Sequence, residues 1–205
     1  MPITYIIIAV TALISFTAFN NHDLFLKLKH WPYQEERNGE YYRWLSSGFL
    51  HADPLHLIFN MLTLYFFGGR VESLFGALFP GFGPVMFMIF YLVSIVAASS
   101  ATFVKFRNTP GFASIGASGA VAAVLFAAIL FEPTIGIGFL FIPFPIPGFI
   151  FGVLYLWYSS YAANKGNDNI DHTAHFFGAV FGFFFPMFFR PELFLHFVNQ
   201  LIDWF

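Results

Sequence analysis

The chain has 205 residues, of which 58% are hydrophobic and only 10% charged, with a formal net charge of -2. Soluble domains carry about 25% charged residues, so a soluble fold could not hide this much apolar surface, and the composition is that of an integral membrane protein. No basic surplus points to a nucleic-acid partner, and the lack of cysteine excludes thiol catalysis, disulfides and thiolate metal sites.

Residues 3–19 form the first apolar run, just long enough to cross ~30 Å of hydrocarbon. No basic segment precedes it and no small-residue cleavage site follows it, so it reads as a retained span. Residues 20–50 mix charges with Trp31, Tyr33, Tyr41, Tyr42 and Trp44, the pattern of short helices lying in the membrane interface. The second span covers 54–67. Pro54 suits its first turn, and Gly68-Gly69 is expected to end it. The third and fourth spans cover 84–104 and 115–131. Residues 133–148 are too rich in Gly and Pro for a helix and read as a loop. A fifth span over 148–163, a polar cap at 164–169 and a sixth span over 172–189 follow. Residues 190–205, with Trp204, read as an interfacial tail. With no internal repeat or domain boundary, the expectation is a single all-α membrane domain over 1–205. It is a bundle of six helices with an interfacial loop after the first.

Spans two, four and six run in one direction, and each has polar residues near its start. His56 and Asn60 share a face of the second, four residues apart. Ser118 opens the fourth, within Gly116-Ala-Ser-Gly119-Ala, and His172 and His175 open the sixth. Parity puts them all in one half of the membrane. An ionisable residue inside a span is a functional hypothesis by default. Small residues around a serine also serve plain helix packing, and a lone intramembrane histidine often only hydrogen-bonds. Three converging spans favour chemistry. Ser118 is a weak nucleophile until a base takes its proton, and His175 is the natural base. Asp171 and Asp53 fall at the span ends, so a Ser–His dyad is expected rather than a triad. His56, Asn60 and the Ser118 N–H can donate to an oxyanion. Gly178 and Gly182 follow His175 on one helix face, where they let the sixth span approach the fourth and bring base to nucleophile.

These residues resemble the rhomboid intramembrane serine proteases. The resemblance lies in motifs in the family's order: Tyr42-Arg43, His51-Ala-Asp-Pro-Leu-His56-Leu-Ile-Phe-Asn60, Gly68-Gly69 with Glu72, Gly116-Ala-Ser118-Gly119, and Ala174-His175-Phe-Phe-Gly178 through Gly182. It implies a six-helix core and cleavage of other proteins' transmembrane helices. Ser118 becomes the nucleophile and His175 the base, with His56, Asn60 and the Ser118 amide stabilising the oxyanion. Phe59 and Trp157 are implied on either side of substrate entry. Arg43, His51, Glu72, Gly116, Gly119, His172, Gly178 and Gly182 take structural roles. The chain departs from the family at Tyr42, often Trp, and at Ala122, where some members carry a Tyr that packs on the catalytic His.

The expected partners are membrane-protein substrates and the bilayer, with no nucleic acid, cofactor or metal. The expected location is a prokaryotic cell membrane, as a multi-pass protein with its site on the extracytoplasmic side. Charge alone favours the opposite orientation. In the family's topology Lys27, Lys29, Arg37, Arg43, Lys105, Arg107 and Lys165 lie outside, and only Arg70 and Arg190 inside. The competing reading is a catalytically inactive rhomboid-like protein that binds membrane helices, although such relatives usually lack the Ser or the His. A transporter lacks repeat symmetry, and a zinc protease of the common type lacks H-E-x-x-H.

Overall fold

Thr4, Ile7, Thr11, Ser15 and Ala18 recur every three or four residues, and they are the residues that α1 (Ile3–Phe19) buries. Tyr5, Ile6, Val10, Leu13 and Phe16 point the other way, exposed. Small and hydroxylated side chains face protein while large apolar ones face outward, the reverse of a water-soluble helix. This arrangement comes from a computed structural model that describes residues 2–139, 142–165, 168 and 170–205.

The interfacial segment folds into α2 (His22–Leu28), α3 (Pro32–Asn38), α4 (Arg43–Ser46) and a 3₁₀ turn, Ser47–Phe49. Two buried charges hold it. Glu35 accepts from the Trp31 N–H at 2.7 Å and the Trp44 indole at 3.0 Å, and lies 2.7 Å from His30 Nδ1. Arg43 donates to the Leu26 and Lys29 carbonyls that α2 leaves unpaired at its end, and pairs with Glu40.

Asp53 caps α5 (Pro54–Thr63) by accepting from the His56 N–H. This helix does not stop at Gly68-Gly69, as the sequence suggested. It passes through a π-helical turn, Leu64–Gly68, into α6 (Gly69–Leu78). Both glycines keep right-handed helical backbone, with φ of −62° and −61°. Gly68 is there for closeness: a Cβ on it would sit 2.8 Å from the Thr4 methyl of α1. One turn on, Glu72 reaches back to the first turn of α1. It accepts from the Ile3 N–H at 2.7 Å, the Thr4 N–H at 2.9 Å and the Thr4 hydroxyl at 2.8 Å. A carboxylate on free N–H groups at a helix start is favourable in charge and in hydrogen bonding. Glu72→Gln turns an NH₂ toward these donors, and we expect it to cost about 1–3 kcal/mol. Thermal unfolding in detergent reads this loss, and an unchanged midpoint would remove Glu72 from the anchor.

Next come α7 (Gly83–Phe106) and α8 (Ser118–Phe131). Every residue of α8 from Gly119 to Phe131 is buried. A helix apolar all round belongs at the centre, and α5, α6, α7, α9, α10 and α11 all pack on it. Residues 133–148, read as a loop, instead hold a two-stranded antiparallel hairpin, β1 (Gly136–Phe139) and β2 (Ile142–Pro147), with Gly136 opposite Pro147 and Ile137 opposite Ile146. Two strands expose outer edges that need no N–H, which is where proline is tolerated. Ile137 is buried against the foot of α8 and anchors the hairpin.

The remaining helices are α9 (Gly148–Lys165), α10 (His172–Phe189) and α11 (Glu192–Ile202). The polar cap read at 164–169 lies partly outside the described residues. The tail expected at 190–205 is mostly α11, whose Gln200 and His196 reach the free Phe131 carbonyl that ends α8, at 2.9 and 3.1 Å. Among the described residues α7 and α10 are long and apolar enough to cross a membrane, and α1 and α8 are shorter apolar helices.

Candidate active site

Two glycines set the distance between α8 and α10. A Cβ on Gly178 would lie 2.2 Å from the Gly119 carbonyl oxygen, and one on Gly182 would lie 2.1 Å from that of Ala123. The helices therefore run parallel with backbone touching backbone, and no side chain fits between them. Gly119 is pinched too: its Cβ would lie 2.6 Å from that of Ala98 on α7 and 3.3 Å from the Ala174 carbonyl.

That approach brings His175 Nε2 to 2.7 Å from Ser118 Oγ, across 57 residues of chain. For the serine to donate, the imidazole must carry its own hydrogen on Nδ1. Ser118 opens α8 and Ala117 supplies no side-chain cap, so the Ser118 N–H is one of the donors that a helix start leaves free.

Gly116 turns the chain into α8 at φ +123°, a left-handed backbone that side chains rarely adopt. A Cβ there would come within 2.9 Å of the His56 ring and 3.7 Å of Ser118 Oγ, so these groups share one small space. Asn60 spends one amide hydrogen on the His56 carbonyl at 3.0 Å and keeps the other. His51 packs edge-on to His56, with ring centroids 4.9 Å apart. Ser15 donates its one hydrogen to the Phe49 carbonyl, so at 2.9 Å it must accept from His51 Nδ1. His51 thereby carries a hydrogen on Nδ1. Burial, then the neighbouring His56, lower its pKa to about 3 against the pull of Asp53.

Asp171 caps α10, accepting from the Ala174 N–H at 2.9 Å and the Thr102 hydroxyl of α7 at 2.9 and 3.0 Å. Both its oxygens are thus occupied in fixing the turn before His175. His172 bonds Asp168 at 3.0 Å and stands edge-on to His175. Phe59 on α5 and Trp157 on α9 are both exposed, at 52% and 65%, and each lies on an outward face.

A cavity of about 800 Å³ reaches His56, Asn60, Ser118 and His175, and polar loop residues including Lys29 and Asp53 line its walls. Water has room to reach the pair. Sequence reasoning missed one ring here. Tyr155 of α9 lies along the imidazole of His175, centroids 6.3 Å apart and planes 29° apart. Nothing in the sequence singles it out, since α9 also carries Phe149, Phe151, Trp157, Tyr158 and Tyr161.

The Rhomboid domain family matches residues 38–192, a stretch running from before Arg43 to beyond α10. Curated relatives agree. The mitochondrial RHOMBOID-like protein 12 of Arabidopsis thaliana is 32% identical over 160 residues, 70% of this chain and 45% of that protein. Rhomboid protease GlpG of Haemophilus influenzae is 34% identical over 103 residues, covering 50% of this chain and 48% of its own. Rhomboid protease GluP of Bacillus subtilis is 33% identical over 154 residues, 71% of this chain and 25% of its own. The chain therefore spans less than half the length of these relatives. With three-quarters of its length inside the family's match, helices packed at glycines and Ser118 facing His175, the chain belongs to the rhomboid family.

Proposed function

We propose that this protein is an intramembrane serine endopeptidase that cleaves transmembrane segments of other membrane proteins with a Ser118–His175 dyad. The observation that carries this reading is the 2.7 Å contact between Ser118 Oγ and His175 Nε2 beside a free helix-start N–H. In this reading Ser118 Oγ attacks the scissile carbonyl while its proton passes to His175 Nε2. The carbonyl oxygen becomes an oxyanion held by the Ser118 N–H, His56 and the spare Asn60 hydrogen. The intermediate collapses, the C–N bond breaks, and the departing amine takes the proton from His175. Water, deprotonated by the same imidazole, then hydrolyses the acyl ester and restores the serine.

The same reading takes the bundle as one domain with six spans: α1, α5 with its π-helical continuation, α7, α8, α9 and α10. Phe59 and Trp157 flank the path by which substrate enters. We place the protein in a prokaryotic cell membrane with the cavity on the extracytoplasmic side. Relatives from Haemophilus and Bacillus support the first part, whereas the Arabidopsis relative is mitochondrial.

A fluorophosphonate probe tests the chemistry directly. We expect it to modify the purified protein at Ser118, and Ser118→Ala to remain unmodified. Equal labelling of Ser118→Ala would overturn the assignment. No labelling of wild type would favour the inactive, helix-binding reading.

A further inference from the structure

Ser118 and His175 are one hydrogen bond apart, but that bond alone does not orient the base. An imidazole held at Nε2 can still turn about its side-chain bonds. In many sites a carboxylate fixes the ring from behind. Here, among the described residues, the contact with Ser118 is the only side-chain hydrogen bond that His175 makes. The nearest carboxylate on its helix, Asp171, has both oxygens on Thr102 and one also on the Ala174 N–H. The ring must be held by packing.

One face of the imidazole has a partner. Tyr155 lies along it at 6.3 Å and 29°, an offset stack. Tyr155 is itself clamped, by Phe151 on its own helix and by Phe126 on α8, each with ring centroids 5.5 Å away. Phe126 is buried and stands two turns after Ser118 on the same helix. A chain of rings thus ties the base on α10 to the helix that carries the nucleophile, by way of α9. Ala122 and Ala179 leave room for it: both are buried, and both belong to the cluster on which Tyr155 packs. The edge of His172 closes another side of His175 at 5.9 Å and 86°.

We propose that Tyr155 is the positioning residue of the base, its ring holding the His175 imidazole in the plane that aims Nε2 at Ser118. This rests on the dyad reading given above. The ring does the work and the hydroxyl is dispensable. The bland alternative is that Tyr155 only fills the groove between α9 and the core.

The test uses the full chain in detergent and a fluorophosphonate probe at several concentrations, separating the maximal rate of modification from the half-saturating concentration. Tyr155→Leu and Tyr155→Met remove the ring, and Tyr155→Phe keeps it. We expect the first two to lower the maximal rate by about 3- to 10-fold, the range of one aromatic contact, and to leave half-saturation unchanged. Tyr155→Phe should restore the rate to within about twofold of wild type, because its ring makes the same contact. Wild-type rates in the Leu and Met variants would overturn the proposal. So would a Phe variant as slow as Leu, which would move the effect to the hydroxyl. Unfolding of both ring-deleted variants would likewise make Tyr155 a core residue and overturn it. Failure of the dyad reading looks different: the wild type would not label, or Ser118→Ala would.

Discussion

Ser118→Ala and His175→Ala are each expected to lower cleavage of a membrane-embedded reporter by about 10⁴-fold or more, and the double variant to lower it no further. The reason is chemical unity. The hydroxyl is a nucleophile only while the imidazole can take its proton, and the imidazole has nothing to do without the hydroxyl. Removing either leaves only the oxyanion donors and substrate binding. Neither substitution disturbs a packed backbone contact, so the variants should melt close to wild type. Rates for both singles and the double, measured on protein of verified melting temperature, decide the matter. Losses that multiply in the double variant would mean that the two groups act independently, and the dyad would have to be abandoned.

Gly182→Ala and Gly178→Ala carry the second large effect, and it acts through distance. The new methyl would have to occupy space 2.1 Å from the Ala123 carbonyl oxygen, or 2.2 Å from that of Gly119. Both obstacles are backbone inside a helix, so no rotamer relieves them. The helices must separate by about 1 Å or more, against an overpacking cost of about 1–3 kcal/mol and often beyond. A separation of that size also breaks a 2.7 Å hydrogen bond between side chains on the same two helices. We expect a clear fall in melting temperature together with loss of probe labelling. Gly69→Ala is the control. Nothing lies within 4 Å of its added Cβ, and the helix should gain up to about 1 kcal/mol. A Gly182→Ala protein that melts and labels like wild type would refute the close-approach account.

Much of this could be read from the sequence, and the reasons are specific. Ser118, His56, Asn60 and His175 stand out because polar side chains are costly inside apolar runs, so their positions are informative without coordinates. Gly178 and Gly182 were legible as a small-residue face. Where sequence reading fell short, the deciding contact joined two distant segments. Gly68-Gly69 looks like a helix stop in one dimension, yet both glycines are helical, and Gly68 is accounted for by its closeness to Thr4 of α1. The prolines of 133–148 correctly exclude a helix. They did not reveal a hairpin, because with only two strands the residues that lack an N–H can sit on an open edge. Ala122 leaves His175 without the ring that some relatives place there, and the sequence could not say that α9 brings Tyr155 instead. Which face of α9 meets α10 is a matter of packing, and α9 has no strong polar pattern to betray it.

The reach of Glu72 to the start of α1 has a consequence in time. Chains are made from the N-terminus, so α1 leaves the ribosome about 70 residues before the carboxylate that anchors its first turn. Until α6 exists, the Ile3 and Thr4 amides must bond to water or lipid headgroups, and α1 is free to shift in depth or tilt. Docking of Glu72 then fixes its register after the fact. Of these two helices, the one made earlier is in this sense set by the one made later.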